Sequence, residues 1–123
     1  MLSDILFTLF LALILTIVIE VCVVWALNFK DKIFIIIVIL VNVITNPSLN
    51  LIISLSYHYT TTLMPFYVLL ILEVMIILIE AIILFKVFPK YSFKLMVLVS
   101  SIMNITSFSI GIGIQWLFPN ILN

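Results

Sequence analysis

The chain has 123 residues, of which 67% are hydrophobic and only 8% charged, with a formal net charge of zero. Soluble domains are about half apolar and about a quarter charged, and no water-soluble core of this size could enclose so much apolar surface. There is no arginine, so nucleotide and nucleic-acid binding, which lean on arginine forks and basic patches, are excluded as expectations.

Four apolar runs are expected to be helices over about 5–27, 33–56, 63–88 and 93–118. Each exceeds the roughly 20 residues a helix needs to cross about 30 Å of hydrocarbon. Helices satisfy their own backbone groups in lipid, which strands outside a closed barrel do not. The fold class is therefore an all-α integral membrane four-helix bundle in one transmembrane domain. These runs consume nearly every residue and leave no room here for a soluble catalytic domain.

In the first helix, Ser3 and Asp4 are placed to cap the start, where Asp4 also suits the positive end of the helix dipole. Thr16 and Glu20 fall on one side, a turn apart. The lone cysteine, Cys22, has no partner for an internal disulfide and is read as a small buried hydrophobe. This segment lacks the basic start and small-residue cleavage site of a signal peptide, and is kept as a true span.

The second helix carries Asn42, Thr45, Asn46, Pro47 and Asn50. Asparagines every four residues form a slowly rotating polar stripe. Pro47 cannot donate to the carbonyl of Val43 and should kink the helix. Freed backbone at that depth needs a protein or cavity partner, and broken helices line many transporter sites.

The third helix places Pro65 in its first turn and is stopped by Pro89. Glu73 and Glu80, seven residues apart, share a face about 10 Å apart along the axis. The fourth helix, capped by Ser92 and closed by Pro119, carries Ser100, Asn104, Ser107 and Gly111 on one face. Gly111 and Gly113 are expected to allow close helix packing.

All five lysines, Lys30, Lys32, Lys86, Lys90 and Lys94, lie in or beside the first and third loops. Cytoplasmic loops carry the lysine and arginine excess, so those loops are expected inside, with both termini and the second loop outside. Trp25 and Tyr91 would mark the inner interface, and Tyr57, Tyr59, Tyr67 and Trp116 the outer one. The composition, rich in Ile, Leu, Asn and Lys, points to an AT-rich bacterial genome, hence to the cytoplasmic (inner) membrane. Glutamate in helices one and three, and asparagine in two and four, hint at a duplicated hairpin, although the local sequences do not match.

A carboxylate at a helix centre costs about 2.5–3.5 kcal/mol on insertion scales, and such groups face bundle interiors or cavities. Turning the polar faces together gives a substrate- or ion-binding site of Glu20, Asn42, Asn46, Glu73, Glu80, Asn104 and Ser107. With no lysine at that depth, the carboxyls must hold protons, bind a cation or amine, or pair with basic residues of another subunit. The first two describe a proton- or cation-linked carrier for a small polar or cationic solute; the third describes an accessory or immunity-type subunit beside a larger membrane partner. The bland reading of the Asn and Ser residues is interhelical glue, worth about 0.6 kcal/mol each. Catalytic residues are not expected: the only histidine, His58, lies in a loop, so serine or cysteine hydrolysis lacks its base; a carboxylate-only hydrolase built on Glu20, Glu73 and Glu80 stays open, with nothing specific to favour it. No cofactor is implied, and no motif names a metal.

Glu20, the run Asn42-Val-Ile-Thr-Asn-Pro47, the pair Glu73 and Glu80, and Asn104-x-x-Ser107-x-x-x-Gly111 together resemble a group of uncharacterised small four-helix bacterial membrane proteins. Thr45-Asn46-Pro47 is the sharpest motif, and the resemblance carries no function. Size and a first-helix glutamate are also similar to the small multidrug resistance exporters, which work as dimers. Three membrane glutamates and a firm lysine bias depart from that family. Four short helices enclose little volume, so a homo-oligomer or larger complex in the bilayer is expected.

Overall fold

The structure, a computed structural model, describes residues 2–118. It consists of four α-helices: α1 Leu2–Ala26, α2 Lys32–Thr60, α3 Phe66–Val87 and α4 Phe93–Leu117. By length and composition all four can cross a membrane. Short connections at 27–31, 61–65 and 88–92 turn successive helices antiparallel. Each helix packs on its two chain-order neighbours, and α1 closes on α4, so the four form a ring in which the backbones of the diagonal pairs stay apart. The α2–α3 seam is the least closely packed of the four.

Helix ends follow local chemistry. The Asp31 carboxylate accepts from the backbone N–H of Ile33 at 3.1 Å and caps α2. Ser92 does the same for α4, accepting from Leu95 N–H at 3.2 Å, as the sequence leads one to expect. Pro65 stands before α3 as its N-cap rather than inside its first turn. Likewise α1 already begins at Leu2, so Ser3 and Asp4 lie within its first turn, and Asp4 keeps its favourable place near the dipole's positive end. α2 runs on to Thr60, past the expected end at 56, and finishes on Thr61 in the left-handed conformation with φ 56°. Pro89 follows the Phe88 C-cap of α3. Pro119 lies outside the described residues.

The apolar core sits at the end of the bundle that carries the lysine-bearing loops. Val24, Phe34, Val38, Leu84, Phe88, Met96, Val99 and Met103 form one buried cluster. Above it, Phe29, Phe34, Phe88 and Tyr91 close that end as an aromatic plug. Phe29 stacks on Phe34 with centroids 4.8 Å apart, and Phe34 packs on Phe88 at 4.9 Å. Tyr91 meets Phe29 edge-on at 5.3 Å, so the first and third loops are locked to each other. Among the described residues, the buried side chains lie between this plug and the two carboxyls with their hydrogen-bond partners; the described side chains of the opposite half are partly buried or exposed.

Two expectations fail here. Cys22 is exposed on the outer surface of the bundle, because the inward face of α1 at that level is taken by Glu20 and Val24. Gly111 and Gly113 pack against nothing: a methyl group added at either meets no atom within 4 Å.

The two hairpins, α1–α2 and α3–α4, follow one plan. Their connections, 27–31 and 88–92, are equal in length. Lys30 and Lys32 stand where Lys90 and Lys94 stand, and Phe34 is buried at the level of Met96. Glu20 with Val24 matches Glu80 with Leu84, while Asn42 with Thr45 matches Asn104 with Ser107.

A candidate buried carboxyl site

Glu20 and Glu80 each lie two turns or less from the end of their helix, about 10 Å from the lysine-bearing loops along the axis. Both are fully enclosed, at 0% and 1% exposure. Each is the centre of a small polar node that joins three helices.

Around Glu20, the Asn42 amide on α2 donates to Oε2 at 2.6 Å, and the Ser107 hydroxyl on α4 stands 3.2 Å from Oε1. Around Glu80, the Asn104 amide on α4 donates to Oε2, and the Thr45 hydroxyl on α2 stands 3.2 Å from Oε1. The Ser100 hydroxyl is a third neighbour, 3.5 Å from Oε2. The nodes repeat one design: one carboxyl oxygen takes an asparagine amide, the other faces a hydroxyl three residues beyond that type of asparagine on the helix opposite.

The asparagines are held so that their orientation is unambiguous. Asn42 gives its second amide hydrogen to the carbonyl of Val38 at 3.0 Å, and Asn104 gives its own to that of Ser100 at 2.9 Å. An amide has two such hydrogens, and both are used. Asn104 also ties the nodes together, since its backbone carbonyl lies 3.1 Å from the Ser107 hydroxyl. Among the described residues no buried side-chain nitrogen or oxygen lacks a partner.

Of the site predicted from sequence, Glu20, Asn42, Glu80, Asn104 and Ser107 come together. Asn46 does not: its backbone and side-chain oxygens both accept from the Asn50 amide, at 3.1 and 2.6 Å, and it reaches neither carboxyl. Glu73 is half-buried on the face of Glu80, one node further from the plug, and none of the donors that hold Glu20 and Glu80 reaches it. Thr45 and Ser100 join the node without having been assigned to it. The signal for both was their spacing, three residues after Asn42 and four before Asn104, which sets them on the inward faces. α2 continues as a single helix through Pro47, where Thr45 and Ser48 hydroxyls bond back to the carbonyls of Val41 and Ile44 at 3.0 and 2.7 Å.

The space bounded by Val38, Val41, Asn42, Glu80, Leu84 and Met103 is too small to hold a water molecule. Among the described residues no group of three or more His, Cys, Asp or Glu is placed to hold a metal ion. The arrangement links the helices through hydrogen bonds to the two carboxyls, and the space beside Glu80 leaves no room for a water molecule.

Fold and site together define a class: a bundle of four membrane-length helices with paired carboxyls enclosed in hydrogen-bonding nodes. No family model, curated protein or solved structure matches the chain.

Proposed function

We propose that the protein is a small multi-pass carrier of the bacterial cytoplasmic membrane that links a proton or cation to movement of a small polar or cationic solute. The observation that carries this reading is the pair of enclosed carboxyls, Glu20 and Glu80, with no basic side chain at their depth. Intramembrane carboxyls are expensive, and in transport proteins they mark proton and ion pathways. The lysine-bearing loops face the cytoplasm in this reading, with the termini and the 61–65 connection outside. The aromatic plug then seals the inner end. The closed interior corresponds to an occluded form, and a homodimer or larger assembly supplies the volume that one four-helix ring lacks.

The test is solute-dependent proton flux in proteoliposomes, followed with a trapped pH dye across a panel of amines and alkali cations. Wild-type protein should acidify or alkalise the lumen when one solute is added, and Glu20→Gln and Glu80→Gln should abolish that response. Silence of the wild type across the panel would sink the carrier reading.

Glu73 favours a second reading, because it is a half-buried carboxyl that the two nodes do not engage. In that reading it pairs with a basic residue of a larger membrane protein, and the chain is a non-catalytic accessory subunit. Glu73→Gln should then break co-purification with that partner while leaving the bundle folded.

A further inference from the structure

Each hydroxyl beside the carboxyls has a single hydrogen to give. Thr45 Oγ1 lies 3.0 Å from the carbonyl of Val41 and 3.2 Å from Glu80 Oε1. Ser107 Oγ lies 3.1 Å from the carbonyl of Asn104 and 3.2 Å from Glu20 Oε1. Ser100 Oγ lies 2.9 Å from the carbonyl of Ile77 on α3 and 3.5 Å from Glu80 Oε2. In all three the backbone carbonyl is the nearer acceptor. A hydroxyl whose hydrogen is committed to a carbonyl presents a lone pair to its other neighbour. An ionised carboxylate oxygen facing that lone pair would be two acceptors in contact, which a dry interior penalises.

We propose that Glu20 and Glu80 are two matched proton-binding sites, each carrying its proton on Oε1 and donating it to the hydroxyl opposite, Ser107 for Glu20 and Thr45 for Glu80. The same carboxyl's Oε2 stays an acceptor for the asparagine amide, so each carboxyl has one oxygen that gives and one that accepts; Ser100 Oγ, at 3.5 Å from Glu80 Oε2, keeps its hydrogen on the Ile77 carbonyl. The hydroxyl relays the bond onward to the helix carbonyl, giving two parallel chains: Glu20 to Ser107 to the Asn104 carbonyl, and Glu80 to Thr45 to the Val41 carbonyl. Facing Glu20 are the neutral Asn42 on α2 and Ser107 on α4; facing Glu80 are Thr45 on α2 and Ser100 and Asn104 on α4. The titratable groups near enough to act on them are each other and Glu73. All are acids, and the lysines stand at the loop end. Nothing opposite either carboxyl compensates a negative charge.

The proposal deepens the carrier reading by naming the ion and the atoms that hold it, and it rests on that reading for its use. It can be tested without transport. Infrared spectra of the full-length protein in lipid at neutral pH should show the C=O band of protonated carboxyls. Glu20→Gln should remove one component, Glu80→Gln another, and the double variant both. Ser107→Ala should shift only the Glu20 component and Thr45→Val only the Glu80 component, each to higher frequency as the carboxyl loses its acceptor. These two variants remove one hydroxyl each, leave the carboxyls in place, and keep the test alive if a Gln variant does not fold. Absence of the band in wild type, with carboxylate bands that move when sodium replaces choline in the buffer, would overturn the proposal in favour of a cation site. A band lost only in Glu73→Gln would overturn it as well. If the carboxyl bands behave as stated and proteoliposomes stay silent, the carrier reading fails and the proton sites stand.

Discussion

Asn42 and Asn104 each give one amide hydrogen to their own helix and one to a carboxyl of another. Removing such a donor leaves a buried acceptor unpaired, which costs about 1–3 kcal/mol. Asn104→Ala should therefore lower unfolding stability in detergent by that amount, and Asn42→Ala by a similar one. Asn46→Ala touches neither node and should cost little. Thr45→Val keeps the shape and loses one interhelical bond, worth about 0.6 kcal/mol in membrane proteins; a denaturant titration of the four variants should rank them so. The inward polar residues were legible because charged and amide groups at membrane depth have few places to face. Asn46 was over-read since steps of four lag the helix by about 40° each, enough to carry the stripe off the node. Thr45, at a step of three, turns the other way and stays in reach. Cys22 shows the converse limit: an apolar residue in an apolar helix has no preference that composition reveals. A membrane-permeant maleimide should label it in the folded protein, whereas a buried thiol would react only after unfolding.

The helices were plain from their apolar runs, and their ends less so. Pro65 stands one residue outside α3 with an extended ψ of 143°, its carbonyl accepting from Val68 and Leu69, and Asp31 caps α2 by a bond that spacing alone leaves open. Which elements pack tightly was not legible at all. Glu73 and Glu80 share a face, yet only Glu80 lies where α2, α3 and α4 close upon one another. The face is written in the periodicity; the depth of contact depends on side chains contributed by other helices. Phe34 illustrates it. From sequence it is one phenylalanine among ten, and in the fold it is 1% exposed and touches three other rings. Phe34→Ala should cost about 3 kcal/mol, the low end for a buried phenylalanine, since lipid shares part of the transfer term. Phe93→Ala, at an exposed ring, should cost far less in the same denaturant series.

At the scale of the molecule, the ring is closed at the loop end by rings and aliphatic side chains, and held at its waist by the two carboxyl nodes. Because α1 packs on α4 and α2 on α3 while the backbones of the diagonal pairs stay apart, the two hairpins face each other across both seams through equivalent residues. The polar contacts between them, Ser107 with Glu20 and Thr45 with Glu80, cross those seams in opposite directions. Nothing in these contacts requires the peptide link at 61–65, which is exposed apart from the half-buried Met64 and carries no part of either node. A gene cut there should yield two short proteins that find each other in the bilayer. Co-expressed halves 1–62 and 63–123 are expected to co-purify, and a Glu80→Gln half to bind its mate less well than the native half does. On that outcome the 61–65 tether sets the one-to-one ratio of the hairpins rather than the way they pack.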